Sequence, residues 1–235
     1  MTERHIVAMG GGGFSMDDPA LDRYVLGLTD RPRPRVCFLP SATGSVPTYI
    51  LRFVDAFPSS GFETSFLDLF VRDDRDLRAF LLEQDVIYVG GGNTANLLAI
   101  WRAHGVDAIL REAWEAGVVL TGVSAGANCW FEGSTTDSFG RLAALPDGLG
   151  LLSGSFSPHF DSEPERRPLF HQLVAEGTLP SGVGCDDFAA VHLVGTELSE
   201  VVASRERAGA YRIARSEGGD VREEALPVTR LIGAA

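Results

Sequence analysis

Short apolar runs that end at glycine or proline alternate along the first half of the chain with stretches whose apolar residues recur at helical spacing. The pattern predicts strands at Ile6–Met9, Val36–Leu39, Glu63–Leu67, Val86–Val89 and Val118–Val123. Helices are predicted between them, near Asp17–Leu28, Pro47–Phe57, Asp76–Leu82, Thr94–Ala103 and Ala108–Ala116. This is a βαβ rhythm, which implies parallel strands joined by right-handed crossovers. Beyond Ser155 the pattern changes to one helix near Glu165–Ala175 and strands at Ala189–Val194, Val201–Ser204, Gly209–Arg215 and Ala225–Leu231. The last two flank E-G-G-D, a hairpin turn signal. With no internal repeat, low-complexity tract or linker, residues 1–235 read as a single α/β domain: a mainly parallel twisted sheet flanked by helices, with extra antiparallel strands in the C-terminal part.

Composition narrows the classes of function. Hydrophobic residues make up 45% and charged residues 22%, as in an ordinary soluble globular enzyme. The formal net charge of −12 argues against nucleic acid or an anionic membrane as partner, because phosphate surfaces demand a Lys/Arg surplus. Cys37, Cys129 and Cys185 form no C-x-x-C pair, and Cys37 and Cys129 sit in or beside apolar runs, which suits a reducing cytoplasm. The first apolar stretch is too short for a signal peptide and none is long enough for a membrane span, so a cytosolic protein is expected.

One strand ends in a chemical signal. Val118 to Ala127 reads V-V-L-T-G-V-S-A-G-A. A serine between Gly122 and Gly126 on a sharp strand-to-helix turn lifts its hydroxyl above the sheet, and the glycines are needed because strand and helix nearly touch there. The amide of Ala125, at the positive end of the new helix, points to where an oxyanion would form. Ser124 is therefore the lead nucleophile. The bare G-x-S-x-G pattern also occurs in structural turns, and the preceding strand is what weights it towards chemistry.

Two glycine clusters accompany it. Gly10–Gly13 follows the first strand, yet Ser15 stands where the dinucleotide fingerprint needs its third glycine and no P-loop lysine follows. A backbone crossing near the site is the favoured reading. Gly90-Gly91-Gly92-Asn93-Thr94 ends the strand Val86–Val89 and opens a helix, and strand ends of open α/β sheets gather in one crevice, which brings this loop beside Ser124. Its glycines let backbone amides approach a substrate, and Gly91 and Asn93 are candidates for substrate contact. A plain loop capped by Asn93 or Thr94 is compatible with the same role.

A serine nucleophile needs a base and the base an orienting acid. His5 opens the first strand, His104 lies near a helix end, His171 in a helical stretch and His192 inside a late strand. His159 differs: it sits in S-F-S-P-H-F-D, directly after a proline and before an acidic, loop-like stretch, a position that can be held rigidly at a cleft. For the acid, Asp186-Asp187 stands where two apolar strands meet, and Asp137 and Asp161 are weaker candidates. The chain order Ser, His, Asp differs from the Ser, Asp, His order of α/β-hydrolases and disfavours that fold.

Taken together, V-G-G-G-N-T at Val89–Thr94, G-V-S-A-G-A-N at Gly122–Asn128 and S-P-H-F at Ser157–Phe160 resemble the peptidase E family of serine peptidases, whose founding activity is aspartyl dipeptidase and whose more distant relatives are cyanophycinases. The resemblance implies a fold similar to class I glutamine amidotransferases and no metal or organic cofactor. Carried over by position, Ser124 matches the nucleophile, His159 the base, and Gly92 and Ala125 the oxyanion amides. The family's third triad member is typically a glutamate; the flanking apolar residues put Asp187 there, with Asp186 one position before it. Aspartate is one methylene shorter, so the histidine or the loop must shift to keep a hydrogen bond of about 2.8 Å. The family's arginine for an acidic substrate side chain has only Arg166 and Arg167 as nearby counterparts, either of which can instead pair with Glu163 or Glu165, and Asp137 approximately matches an acid after the elbow helix. The expected protein is a serine peptidase with a Ser-His-Asp triad acting on short peptides, as a monomer or small homo-oligomer, with Asp-X dipeptidase specificity left open. A cyanophycinase-like or small-ester hydrolase would share the triad, and a non-catalytic amidotransferase-like binding protein would share only the fold.

Overall fold

The apolar strands of the first half are covered on both sides. In this computed structural model, which describes residues 3–231, β1 (His5–Gly11), β2 (Arg35–Leu39), β3 (Glu63–Phe66), β4 (Val86–Val89) and β5 (Val119–Val123) run parallel in the order β1-β5-β4-β2-β3. Successive side chains point to opposite faces. On one face Val7, Met9, Phe38, Tyr88 and Val119 meet Leu21 and Val25 of α1 (Pro19–Leu26) and Phe53 of α2 (Pro47–Ala56). On the other, Ile6, Ala8, Leu39, Ile87 and Leu120 meet Leu81 of α3 (Leu77–Leu82), Leu97 and Trp101 of α4 (Thr94–His104), and Leu110 and Trp114 of α5 (Val106–Glu115). Each large apolar side chain so buried contributes roughly 1.5–3 kcal/mol, and the two-sided burial fixes the sheet's register. The five predicted strands and five predicted helices of this half all form.

The chain leaves β5 through the short helix α6 (Ala125–Asn128) and builds a second sheet from β6 (Phe131–Thr136), β7 (Ala143–Leu145), β8 (Leu152–Ser157) and β9 (Gly182–Cys185), with α7 (Arg166–Glu176) between β8 and β9. It then returns to the first sheet as β10 (Ala189–Val194), antiparallel to β1, and β11 (Glu197–Ala203). β12 (Ala210–Arg215) and β13 (Val221–Ala225) extend the second sheet beyond β9, and β14 (Val228–Arg230) lies parallel to β11 at the edge of the first. The result is an eight-stranded sheet in the order β14-β11-β10-β1-β5-β4-β2-β3 and a six-stranded sheet in the order β13-β12-β9-β8-β6-β7. The expected mixed α/β architecture with mostly parallel pairing and late antiparallel strands is present.

Two expectations need correction. The second sheet was not foreseen, because β6 and β8 bury serine and threonine where the apolar-run rule looks for valine: Ser134, Thr135, Thr136, Ser155 and Ser157 are all buried, and the hydroxyls of Thr135 and Ser157 are 2.7 Å apart. The hairpin around E-G-G-D exists, but its second strand begins at Val221 rather than Ala225. V-R-E-E-A is a largely exposed edge strand whose charges hide it from a hydrophobicity rule. Among the described residues, no helix is long and apolar enough to cross a membrane.

Candidate active site

Ser124 ends β5 with φ 55° and ψ −113°, a backbone that a non-glycine residue holds only when its surroundings enforce it. Here the amide of Ser124 donates to the carbonyl of Met9 on β1 at 3.0 Å, and the start of α6 presses on β5 so closely that a Cβ on Gly122 would collide with the carbonyl of Gly126. The hydroxyl is thereby aimed out of the crevice end of the sheet. His159 lies two residues past β8, at φ 51°, and is pinned by the amide of Phe160, which donates to the carbonyl of Cys185 at 3.1 Å. Its Nε2 is 2.9 Å from Ser124 Oγ and its Nδ1 is 2.6 Å from Asp187 Oδ1. With Nδ1–H donating to the carboxylate, Nε2 is left to accept the serine proton.

Asp187 occupies the junction where the chain passes from β9 in the second sheet to β10 in the first, and the following residue, Phe188, also has a positive φ of 62°. The aspartate meets the imidazole from a loop that two contacts hold in place. Its amide donates to Asp161 Oδ1 at 2.9 Å, and its carboxylate lies over Gly11, where any Cβ would collide with Oδ1. Burial alone would lift the Asp187 carboxyl, yet the hydrogen bonds from His159 and Ser162, together with the charges of His159 and Arg166, outweigh it and hold it below the usual carboxylate range. An ionised Asp187 is the form that can orient and stabilise an imidazolium.

The glycine loop after β4 abuts this line. The Cβ position of Gly91 falls 3.5 Å from Ser124 Cβ, and the amide of Gly91 donates to Tyr49 Oη at 3.2 Å. Gly92 has φ 135° and would place a Cβ 2.5 Å from the carbonyl oxygen of Ala42, so only glycine fits there. Among the described residues, the amides of Gly92 and Ala125 donate to no protein acceptor, unlike the amide of Asn93, which donates to Ala42 at 2.8 Å. Two undirected N–H groups beside a hydrogen-bonded serine are what stabilisation of an oxyanion requires.

Residues 6–201 match the profile of peptidase family S51. The chain belongs to that family. It is 50% identical over 230 residues to an uncharacterized peptidase, YgaJ, of Bacillus subtilis, covering 97% of this chain and 99% of the relative. A peptidase E of Streptomyces coelicolor is 30% identical over 133 residues, 55% of this chain and 53% of that one. Among solved structures, a peptidase from an acI-B1 actinobacterium superposes with a TM-score of 0.69 at 18% identity, covering 95% of each chain. A putative peptidase E from Listeria monocytogenes superposes with a TM-score of 0.62 at 22% identity, covering 87% of this chain and 99% of that one. At family level, S51 membership makes this a peptidase of the serine type.

The remaining sequence candidates of the S51 chain are placed less uniformly. Asp137 is exposed and lines a cleft of about 840 Å³ together with Arg141, Ser162, Glu163 and Glu165, and Ser162 also bonds Asp187, so the cleft opens beside the triad-like group. Asn93 is committed to structure: its Oδ1 caps α4 by accepting from Asn96 at 2.8 Å, and its Nδ2 donates to the carbonyl of Ser138 at 2.9 Å. Arg166 is buried, with Nε on Glu163 at 2.6 Å and Nη1 on the carbonyl and hydroxyl of Thr135. A guanidinium so engaged holds the loop before α7 against β6 and is not presented to a substrate. Arg167 is likewise taken, by Glu223 and the faces of Phe160 and Tyr211.

Three residues that position the S51 site escaped the sequence reading of site contacts. Tyr49, in the first turn of α2, anchors the glycine loop through its hydroxyl, and no sequence signal distinguishes it from a core aromatic. Ser138 accepts from the amide of Ala95 at 3.2 Å and so ties the segment after β6 to the same loop. Asp161, weighed only as a weak triad acid, instead fixes the backbone of Asp187; its place two residues after His159 was the available clue.

Proposed function

We propose that the protein is a serine peptidase that cleaves short peptides through an acyl-enzyme on Ser124. The observation that carries this reading is the continuous line Ser124 Oγ, His159 Nε2, His159 Nδ1, Asp187 Oδ1, with spacings of 2.9 and 2.6 Å. His159 takes the proton of Ser124 as the oxygen attacks the scissile carbonyl. The amides of Gly92 and Ala125 receive the negative charge, one such donor being worth roughly 3 kcal/mol in the transition state. The imidazolium, held by Asp187, then protonates the leaving amine, and a water deprotonated by His159 releases the acyl group.

The cleft beside the site is the natural place for the rest of the peptide. Its wall carries three carboxylates, Asp137, Glu163 and Glu165, against one guanidinium, Arg141, and both arginines expected after the histidine motif are occupied, so Arg141 is the cation of this wall that an acidic side chain of the peptide would meet. Three unpaired, buried cysteines suit the cytoplasm as working compartment. Treatment with a fluorophosphonate should label wild-type protein and leave Ser124→Ala unlabelled, and a dipeptide and ester panel then ranks substrates. Labelling of Ser124→Ala at the wild-type rate would refute the assignment of the nucleophile.

A further inference from the structure

The loop between β6 and β7 is fastened to the oxyanion side of the site. Ser138 makes the attachment: its carbonyl accepts from Asn93 Nδ2 at 2.9 Å, and its hydroxyl accepts from the amide of Ala95 at 3.2 Å and lies 2.7 Å from that of Thr136. Asn93 directly follows Gly92, and the amide of Gly140 closes the loop on the carbonyl of Asp137 at 2.8 Å. Asp137, Gly140, Arg141 and Leu142 of this loop line the cleft of about 840 Å³. Its other lining residues, Ser162 to Glu165, are tied to the base: Ser162 bonds Asp187, and the amide of Glu163 donates to the carbonyl of His159 at 3.0 Å. Both linings of the cleft are thus held by the groups that surround Ser124.

The charges in this cleft are not matched in pairs. Glu163 is answered by Arg166 at 2.6 Å, and Arg167 is taken by Glu223. Arg141 is exposed and, among the described residues, its side chain has no hydrogen bond or ion pair, although Asp137 and Glu165 line the same cleft. A guanidinium offers a planar fork of donors that fits a carboxylate by two parallel bonds. The carboxylates around it repel any further anion that such a fork does not meet.

We propose that Arg141 is a specificity-determining residue: it takes a carboxylate of the peptide, from the free C-terminus or from an acidic side chain, while the scissile bond lies at Ser124. The proposal rests on the reading of Ser124 as nucleophile and narrows its substrates to short peptides that carry a carboxylate close to the bond cleaved. Loss of the guanidinium acts twice, by removing the fork and by leaving the charged groups of the cleft wholly negative.

Matched dipeptides test this and separate the two sources. The best dipeptide of the panel is compared with its C-terminal amide and, among amidated dipeptides, one containing glutamate is compared with its glutamine counterpart. In wild type at least one carboxylate form is expected to have a kcat/KM about tenfold above that of its neutral partner, mostly through KM. Arg141→Gln should bring that ratio close to one, and Arg141→Glu should invert it. A preference for the free acid names the chain end as the source, and a preference for glutamate names the side chain. If wild type shows neither preference, or if Arg141→Gln keeps the wild-type ratio, the proposal is overturned. Each ratio is internal to one protein, so a smaller folded fraction cannot imitate the expected result. Cleavage by Ser124→Ala at the wild-type rate and ratio would instead overturn the underlying reading of the nucleophile and leave Arg141 in its role.

Discussion

The two ends of β1 each carry a hydrogen-bonded histidine, and only one of them has the makings of a catalyst. At the crevice end stand Ser124, His159 and Asp187. At the opposite end His5 Nδ1 lies 3.0 Å from His192 Nε2, His192 Nδ1 lies 2.6 Å from Tyr24 Oη, and Tyr24 donates to Glu200 at 2.6 Å. The second chain is as well connected as the first. Because the single Tyr24 proton goes to Glu200, His192 must donate through Nδ1 and accept from His5 through Nε2, so both nitrogens of His192 are spent on protein partners. What distinguishes the crevice end is the serine on a strained turn, the positive φ at Ser124, His159 and Phe188, and two backbone amides that have no protein acceptor among the described residues. A histidine network marks stability as readily as chemistry; an elbow and idle donors mark chemistry.

Substitution should separate the two ends sharply. Ser124→Ala or His159→Ala is expected to lower peptide turnover by roughly 10⁴-fold or more, while His192→Asn leaves it within about twofold, both measured as kcat/KM on the best dipeptide of the panel. Equal losses at the two ends would dissolve the distinction. Next in size, Asp187→Ala should cost about 10³-fold or more and Asp186→Ala far less, and the reverse ranking would move the triad acid by one residue. Gly92→Ala should reduce kcat by about 10²-fold with a smaller change in KM, since its Cβ must push against Ala42 and turn the amide away; an unchanged kcat would remove Gly92 from the oxyanion site.

The smallest effect belongs to the other end and concerns folding. Burial, followed by the neighbouring His5, depresses the His192 imidazole below its ordinary value of 6.5 against the pull of Glu200 and Glu3. A base whose folded value is depressed is protonated more easily when unfolded. Its contribution to stability is therefore complete above 6.5 and is lost as pH falls from there towards the folded value. Melting temperature should fall with pH below about 6.5, and His192→Asn should flatten that slope. A slope unchanged in the variant would show that the acid sensitivity arises elsewhere.

How far each region could be read from sequence follows from what its residues bury. β1, β2, β4 and β5 advertise themselves because they bury valine, isoleucine or leucine on both faces, and the elbow and glycine loop because their backbone admits few residue types. β6 and β8 bury hydroxyls, of which Thr135 and Ser157 bond each other and Ser155 and Thr136 bond groups outside the two strands, and single-sequence hydrophobicity cannot distinguish such residues from a surface turn. The positions of Ser124, His159 and Asp187 were legible as separate oddities, an elbow, a histidine after proline and paired acids between strands. Their convergence was suggested by family resemblance, since nothing in local sequence states which strands will be neighbours. The fate of Arg166 was illegible for the same reason: its partner Thr135 is 31 residues away and lies on a strand that was not foreseen.

Ser124 belongs to the first sheet, His159 hangs from the second, and Asp187 sits on the crossing between them. The hydrogen-bonded line therefore works as a caliper across the seam of the molecule. A slip of one sheet against the other by a fraction of a bond length would unhook it while each sheet stayed intact, so on warming, loss of labelling at Ser124 should run ahead of any loss of far-ultraviolet dichroism.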